Sequence, residues 1–150
     1  MNSNPILIVS GEPNSVFLEL FFKVFNNNKI KNPIILISSK KLLDLQMKKL
    51  GFKNKIRLID VSKLKFYKIN NKTINLIDVK YNPDKAFEKI SNKSNMFIKN
   101  SFELAFKIIK KYKIIRFING PISKKYFLRK EFLGITEYIS EKFLTKNTCM

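Results

Sequence analysis

The residues best placed to do chemistry lie between Lys113 and Glu137, K-Y-K-I-I-R-F-I-N-G-P-I-S-K-K-Y-F-L-R-K-E-F-L-G-I-T-E. Asn119-Gly120-Pro121 precedes Ser123 and Lys124, and Gly134-Ile135 precedes Thr136 and Glu137. Each set reads as a turn that opens a helix, with Pro121 suited to a first helical position and Gly134 breaking the chain before the second. Helix beginnings present unpaired N–H groups and a positive dipole end, so the chemistry on offer is capture of a small anion. Lys124 and Lys125 would stand in a first turn, where the dipole disfavours a cation, and a bound phosphate or carboxylate removes that conflict. Simpler roles also fit these residue types. The two lysines can point to water, Thr136 can act as an N-cap, and Glu12 and Glu137 can sit favourably at helix starts.

Other chemistries are poorly supplied. The chain has no histidine, which removes the commonest general base and metal ligand. A Ser-His-Asp device is therefore excluded. One cysteine with scattered acids makes no zinc cluster. Neither G-x-x-x-x-G-K-[ST] nor G-x-G-x-x-G occurs. No catalytic residue and no metal ligand is assigned within the chain.

A length of 150 residues suits one domain or one lobe, and 45% hydrophobic content suits a packed core. Cys149 has no partner within the chain, which points to a reducing, cytoplasmic setting. The start, Met1-Asn2-Ser3-Asn4-Pro5, lacks a basic region, and no apolar run approaches a membrane span. The net charge of +19 raises the question of nucleic acid. Against it, the basic residues are lysines apart from Arg57, Arg116 and Arg129, and they are spread over every segment. The reading is a solvated lysine surface, with no nucleic-acid and no membrane partner.

Strand and helix patterns alternate along the chain. Strands are expected at 5–9, 33–37, 55–59, 74–79 and 114–118, each a short apolar run. The first helix is expected over 16–25, with Val16, Leu20 and Val24 on one face beside Phe17 and Phe21, and Asn14 or Ser15 as cap. A second follows Ser38-Ser39 over 40–50 and stops at Gly51. Residues 61–73 read as a loop or weak hairpin, 84–90 as a short helix, and 96–112 as a strongly amphipathic helix. The final residues, 142–150, show no closing element. This order implies a three-layer α/β/α lobe with a mostly parallel sheet. Ligands of such sheets bind beyond the carboxyl ends of the strands.

Three local patterns, taken together, resemble the N-terminal half of 4-hydroxythreonine-4-phosphate dehydrogenase, a family of vitamin B6 (pyridoxal phosphate) synthesis. Against the family's G-D-P-x-G-I-G-P-E, this chain has Gly11-Glu12-Pro13-Asn14-Ser15-Val16-Phe17-Leu18-Glu19, keeping Gly11, Pro13 and Glu19. The family's T-G-P-x-x-K is met by Asn119-Gly120-Pro121-Ile122-Ser123-Lys124, and G-H-T-E-[FY] by Gly134-Ile135-Thr136-Glu137-Tyr138.

The resemblance implies the isocitrate/isopropylmalate dehydrogenase-like fold, with residues 1–150 as the N-terminal lobe of a longer two-lobe enzyme. It implies a cytoplasmic homodimer using NAD and a divalent metal (zinc, magnesium or cobalt). The implied reaction oxidises the hydroxyl of 4-phosphooxy-threonine to a ketone, and the keto acid then loses carbon dioxide. Carried over residue by residue, Thr136 is a substrate contact. Ile135 stands at the family's histidine position and departs from it. Lys124, with Gly120, Ser123 and Gly134, supports the anion. Metal ligands and most cofactor contacts are implied to lie outside this segment, which is expected to be inactive alone. Two further readings come from the residues themselves: a non-catalytic binding lobe for a small phosphorylated metabolite, and a basic nucleic-acid-binding domain.

Overall fold

A computed structural model of the chain describes residues 5–27, 29–128 and 131–143. Cys149, Arg129 and the end of the 142–150 tail lie outside the described residues. Five strands, β1 (Ile6–Val9), β2 (Ile34–Ser38), β3 (Ile56–Leu58), β4 (Ile74–Asp78) and β5 (Arg116–Asn119), form one parallel sheet in the order β3-β4-β2-β1-β5. Four helices cover it: α1 (Phe17–Asn26), α2 (Lys40–Leu50), α3 (Asn95–Tyr112) and α4 (Ile135–Phe143).

The continuous apolar runs of β1 and β2 are those of strands covered on both faces. Alternate residues serve opposite layers, because successive strand side chains point to opposite sides. Leu7, Val9, Ile35, Ile37 and Ile77 pack beneath α3, joined by Tyr138 of α4. Ile8, Leu36, Ile74 and Leu76 pack against Leu18 and Phe22 of α1 and Leu42, Leu43 and Met47 of α2. Three layers follow, as the strand–helix order implied.

Local signals fix the helix ends. Ser39 Oγ accepts from Leu42 N at 3.3 Å and opens α2, while Gly51, at φ 76°, closes it in the left-handed region. Lys113 closes α3 at φ 52°, so β5 begins at Arg116 rather than at Ile114. Ile114 is nonetheless buried in the core. The third and fourth strands are likewise shorter than expected.

Several expectations are corrected. Residues 84–90 form no helix. Their backbone groups are bound by side chains instead: Asp84 N donates to Glu88 Oε1 at 3.0 Å, Glu88 N to Asn14 Oδ1 at 2.9 Å, and Ala86 O accepts from Gln46 Nε2 at 2.9 Å. Such bonds compete directly with the i→i−4 ladder. Residues 61–66 form a 3₁₀ turn, not a hairpin, with Asp60 Oδ1 accepting from Ser62 N at 2.8 Å. In α1 the stripe Val16, Leu20, Val24 faces outward, while Leu18, Phe21, Phe22 and Phe25 are buried. The phenylalanine-bearing side removes more apolar surface from water and takes the core. The α1 cap also differs from the expected Asn14 or Ser15: the N-cap is Val16, with no side-chain capping bond, while Ser15 Oγ accepts from Phe17 N at 3.3 Å and Asn14 is committed to Glu88.

The layer over β5 is held by aromatic rings. Phe102 of α3, fully buried, has ring centroids of Phe106, Phe117, Phe127 and Tyr138 at 5.9, 6.4, 6.3 and 5.7 Å. Phe102→Ala removes a side chain that ties α3 to β5, α4 and the turn at Lys124–Leu128. It is expected to lower unfolding free energy by about 3–5 kcal/mol in urea titration. A loss under about 1 kcal/mol would show that this layer is not cooperative with the sheet.

Candidate functional site at the carboxyl edge of the sheet

The chain runs from β1 through α1 to β2 on one side, while β5 joins β1 from the other side through α3. The carboxyl ends of β1 and β5 therefore form the crevice where open α/β sheets bind ligands. Ser10-Gly11-Glu12 and Gly120-Pro121 meet there. Gly120 N donates to Val9 O at 2.7 Å, and Glu12 N donates to Pro121 O at 2.7 Å. Gly11 takes φ 70°; a Cβ on it would collide with the Pro121 carbonyl and stand 2.8 Å from that of Gly120. A Cβ on Gly120 would collide with the Ser10 carbonyl. Both glycines thus serve a backbone-to-backbone seat between two loops.

Pro121 does not begin a helix. Its carbonyl is held by Glu12, and the helical segment is a single π-type turn, Lys124–Leu128. Ser123 precedes it as a cap, its Oγ accepting from Tyr126 N at 3.2 Å and its carbonyl from Phe127 N at 2.8 Å. Lys124 is exposed in the first position of that turn. Gly134 precedes α4, and its carbonyl accepts from Tyr138 N at 3.4 Å. Thr136 is half-buried in the first turn of α4, one residue inside the helix rather than at its cap. Ile135 packs against the α3-side core. Glu137 Oε2 is buried without a hydrogen-bond partner, close to the bare face of Gly134.

The two turns belong to one packed unit, since Phe127 and Tyr138 are in edge contact at 5.5 Å between centroids. The cavity between their elements, of about 410 Å³, is lined by residues including Asn95, Lys99, Phe127, Glu131, Tyr138 and Glu141. None of Gly120, Ser123, Lys124, Gly134, Ile135 or Thr136 lines it.

Behind the crevice lies a polar network that the sequence reading missed. Glu12 is 3% exposed. Its carboxylate accepts from Ser94 Oγ at 2.9 Å and from Asn14 N at 3.2 Å. Gln46, buried on α2, donates to Pro13 O at 2.8 Å as well as to Ala86 O, and Ser39 Oγ donates to Tyr81 O at 3.0 Å. The 80–94 segment is thereby tied to the β1–α1 loop and to α2. Burial also pushes the Tyr81 phenol above its ordinary value, and the carboxylates of Glu88, Glu12 and Asp84 add to the shift against one opposing bond from Asn14. A signal for Gln46 was present: it interrupts the apolar stripe Leu42, Leu43, Met47. Ser94 carried none.

Among the described residues no three His, Cys, Asp or Glu side chains form a metal-holding group, so these residues do not fit a metal. At the crevice the backbone carbonyls of Ser10, Gly120 and Pro121 stand against the bare faces of Gly11 and Gly120.

No protein-family model matches this sequence, and no curated protein matches it. Solved structures do. A 4-hydroxythreonine-4-phosphate dehydrogenase from Burkholderia phymatum superposes with a TM-score of 0.82 at 22% identity, covering 97% of this chain and 45% of that one. The same-named enzyme from Klebsiella pneumoniae gives 0.80 at 17% identity, covering 97% and 46%. The chain shares the fold of the part of these dehydrogenases that it covers. It spans less than half of their length.

Two expectations follow from the crevice. Gly120→Ala forces its methyl into the Ser10 carbonyl and should cost at least about 1–3 kcal/mol of stability by urea unfolding, as overpacking does; an unchanged midpoint would mean the seat opens freely. Burial raises the Glu12 carboxyl above 4.5, with the Ser94 and Asn14 bonds opposing. Folding then favours the protonated acid, so Glu12 contributes most below 4.5 and its contribution is lost as pH rises through the raised value. The stability of the wild type minus that of Glu12→Gln should therefore fall across that interval and be flat on either side. A difference that rises with pH would contradict the assignment.

Proposed function

We propose that this chain is the substrate-holding lobe of a 4-hydroxythreonine-4-phosphate dehydrogenase, acting in pyridoxal phosphate synthesis. The observation that carries this reading is the superposition over 97% of the chain at a TM-score of 0.82. It is supported by the G-P-x-x-K and G-x-T-E-Y patterns, which fall on the turn after β5 and on the start of α4. In this reading the whole enzyme is a cytoplasmic homodimer. It takes a small phosphorylated hydroxy-amino acid and uses NAD and a divalent metal held by residues outside this chain.

The roles left to this chain are binding and orientation. The Thr136 hydroxyl is a donor or acceptor for the substrate's polar groups. Lys124 is a point charge for its phosphate or carboxylate, and the first N–H groups of the Ser123-capped turn and of α4 lack intrahelical acceptors. Ile135 can neither donate nor accept a hydrogen bond. A lobe with isoleucine there holds the substrate through one polar contact fewer than a G-H-T-E lobe does.

A second reading is a non-catalytic lobe that binds a small phosphorylated metabolite. It is favoured by the filled crevice and by the absence of a metal-donor group among the described residues. One set of titrations with 4-phosphooxy-threonine tests the site that both readings share. Both expect binding to the 150-residue protein, weakened about tenfold by Thr136→Val and by Lys124→Ala, as for loss of one hydrogen bond to a charged group. Unchanged affinity in both variants would refute the site. NADH formation when NAD and zinc, magnesium or cobalt are added favours the catalytic reading for the chain itself. Binding without turnover favours the second reading, or a dehydrogenase whose remaining residues must be present.

A further inference from the structure

The cavity of about 410 Å³ between the start of α3, the turn at Lys124–Leu128 and α4 has the size of a small-molecule site. None of Lys124, Ile135 or Thr136 lines it. Tyr138, Glu141 and Lys142 reach it from α4. At the helical repeat these three share one side of α4, and Thr136 lies on the other. The helix itself separates the two places.

One wall of the cavity is aromatic. Tyr138 meets Phe127 and Phe132 edge-on, at 5.5 and 5.4 Å between centroids, and all three rings line the space. Asn95 and Lys99, one turn apart on α3, line it as well. Asn95 Nδ2 donates to Tyr126 O at 2.7 Å, which fixes the orientation of the amide. Its Oδ1 is buried and accepts no hydrogen bond, a costly state that a donor would relieve. The charged lining is balanced, with Lys99 and Lys142 against Glu131 and Glu141. Over the whole chain 30 basic residues stand against 11 acidic ones, so this is a locally neutral place on a strongly cationic protein. Lys142 Nζ lies 3.7 Å from Glu141 Oε1 and Lys99 Nζ 4.0 Å from Glu103 Oε1, both too long for hydrogen bonds.

We propose that this cavity binds a free amino acid with an aromatic side chain, as its zwitterion. The ligand ring packs on Phe127, Phe132 and Tyr138. Its ammonium donates to Asn95 Oδ1 and is balanced by Glu131 or Glu141, while its carboxylate accepts from Lys99 or Lys142. Singly charged ligands fit less well. An anion meets Glu131 and Glu141. An organic cation finds Lys142 already over the Tyr138 ring, with Nζ 5.8 Å from the centroid. The proposal does not depend on the dehydrogenase reading.

L-Tryptophan is the probe, because the chain contains no tryptophan and the ligand's own fluorescence reports binding. Titration of the 150-residue protein should saturate. Tryptamine, which lacks the carboxylate, and indole-3-propionate, which lacks the ammonium, should each bind at least about tenfold more weakly. Asn95→Leu should weaken L-tryptophan by at least about the same factor. The double replacement Lys99→Ala, Lys142→Ala changes two exposed side chains and carries the test where Asn95→Leu fails to fold. It should weaken L-tryptophan without weakening tryptamine, and Lys48→Ala on α2 should change neither. No saturation at millimolar L-tryptophan would overturn the proposal, as would equal binding of either analogue or displacement by 4-phosphooxy-threonine. Unchanged affinity in either folded variant, or an equal loss in Lys48→Ala, would do the same.

Discussion

The interaction on which the rest of this lobe depends is the direct contact of two backbones at the carboxyl ends of β1 and β5. Gly120 N to Val9 O and Glu12 N to Pro121 O, both at 2.7 Å, join loops more than 100 residues apart in sequence. No side chain mediates this seat, and none could fit, because a Cβ at Gly11 or Gly120 meets a carbonyl oxygen. The seat sets where β5 stops, and hence where the π-type turn, the aromatic contact of Phe127 with Tyr138, and the start of α4 can lie. Without it the turn after β5 and the start of α4 would have no fixed relation to the central strand.

The same seat explains why a segment without regular structure can be held firmly. Residues 80–91 make no helix and 92–94 only one 3₁₀ turn, yet Ser39, Gln46, Asn14 and Glu12 each take one of the polar groups of 80–94. Such a segment would otherwise carry unpaired backbone groups over a buried sheet edge, which is costly. Glu12 anchors the network, and its burial is the cost of doing so: a carboxylate in place of water-exposed charge is penalised, and hydrogen bonds from Ser94 and Asn14 offset part of that penalty. The Glu12 Oε2 atom is the one that reaches Ser94, accepting from its Oγ at 2.9 Å.

Much of the architecture was legible because it rests on periodicity. The apolar runs at Ile6–Val9 and Ile34–Ile37 could only be covered strands, and Ser39 and Gly51 marked both ends of α2 by local chemistry. Where the reading failed, a distant partner had decided the outcome. Residues 84–90 have helical composition, but their N–H and C=O groups were claimed by Asn14 and Gln46, some 40 to 74 positions away. Pro121 looks like a helix start until Glu12 takes its carbonyl. Val16, Leu20 and Val24 make as good a stripe as Leu18, Phe22 and Phe25, and only packing against β1 and β2 shows which side is inside. The candidate site was legible as motifs, and the geometry adds that Gly120 has its N–H already bonded to β1.

That last fact changes what each motif residue can do. A glycine whose amide is engaged cannot also cradle a phosphate, and the Gly120 N–H is bonded to Val9 O, whereas the Lys124 side chain is exposed. Ile135 is turned toward the α3-side core, where isoleucine packs well and an imidazole would be desolvated. Thr136, one residue on and pointing elsewhere around the helix, places a hydroxyl at the same helix start. Of the motif side chains, Lys124 is exposed and Thr136 half-buried, while Ile135 is packed into the core layer.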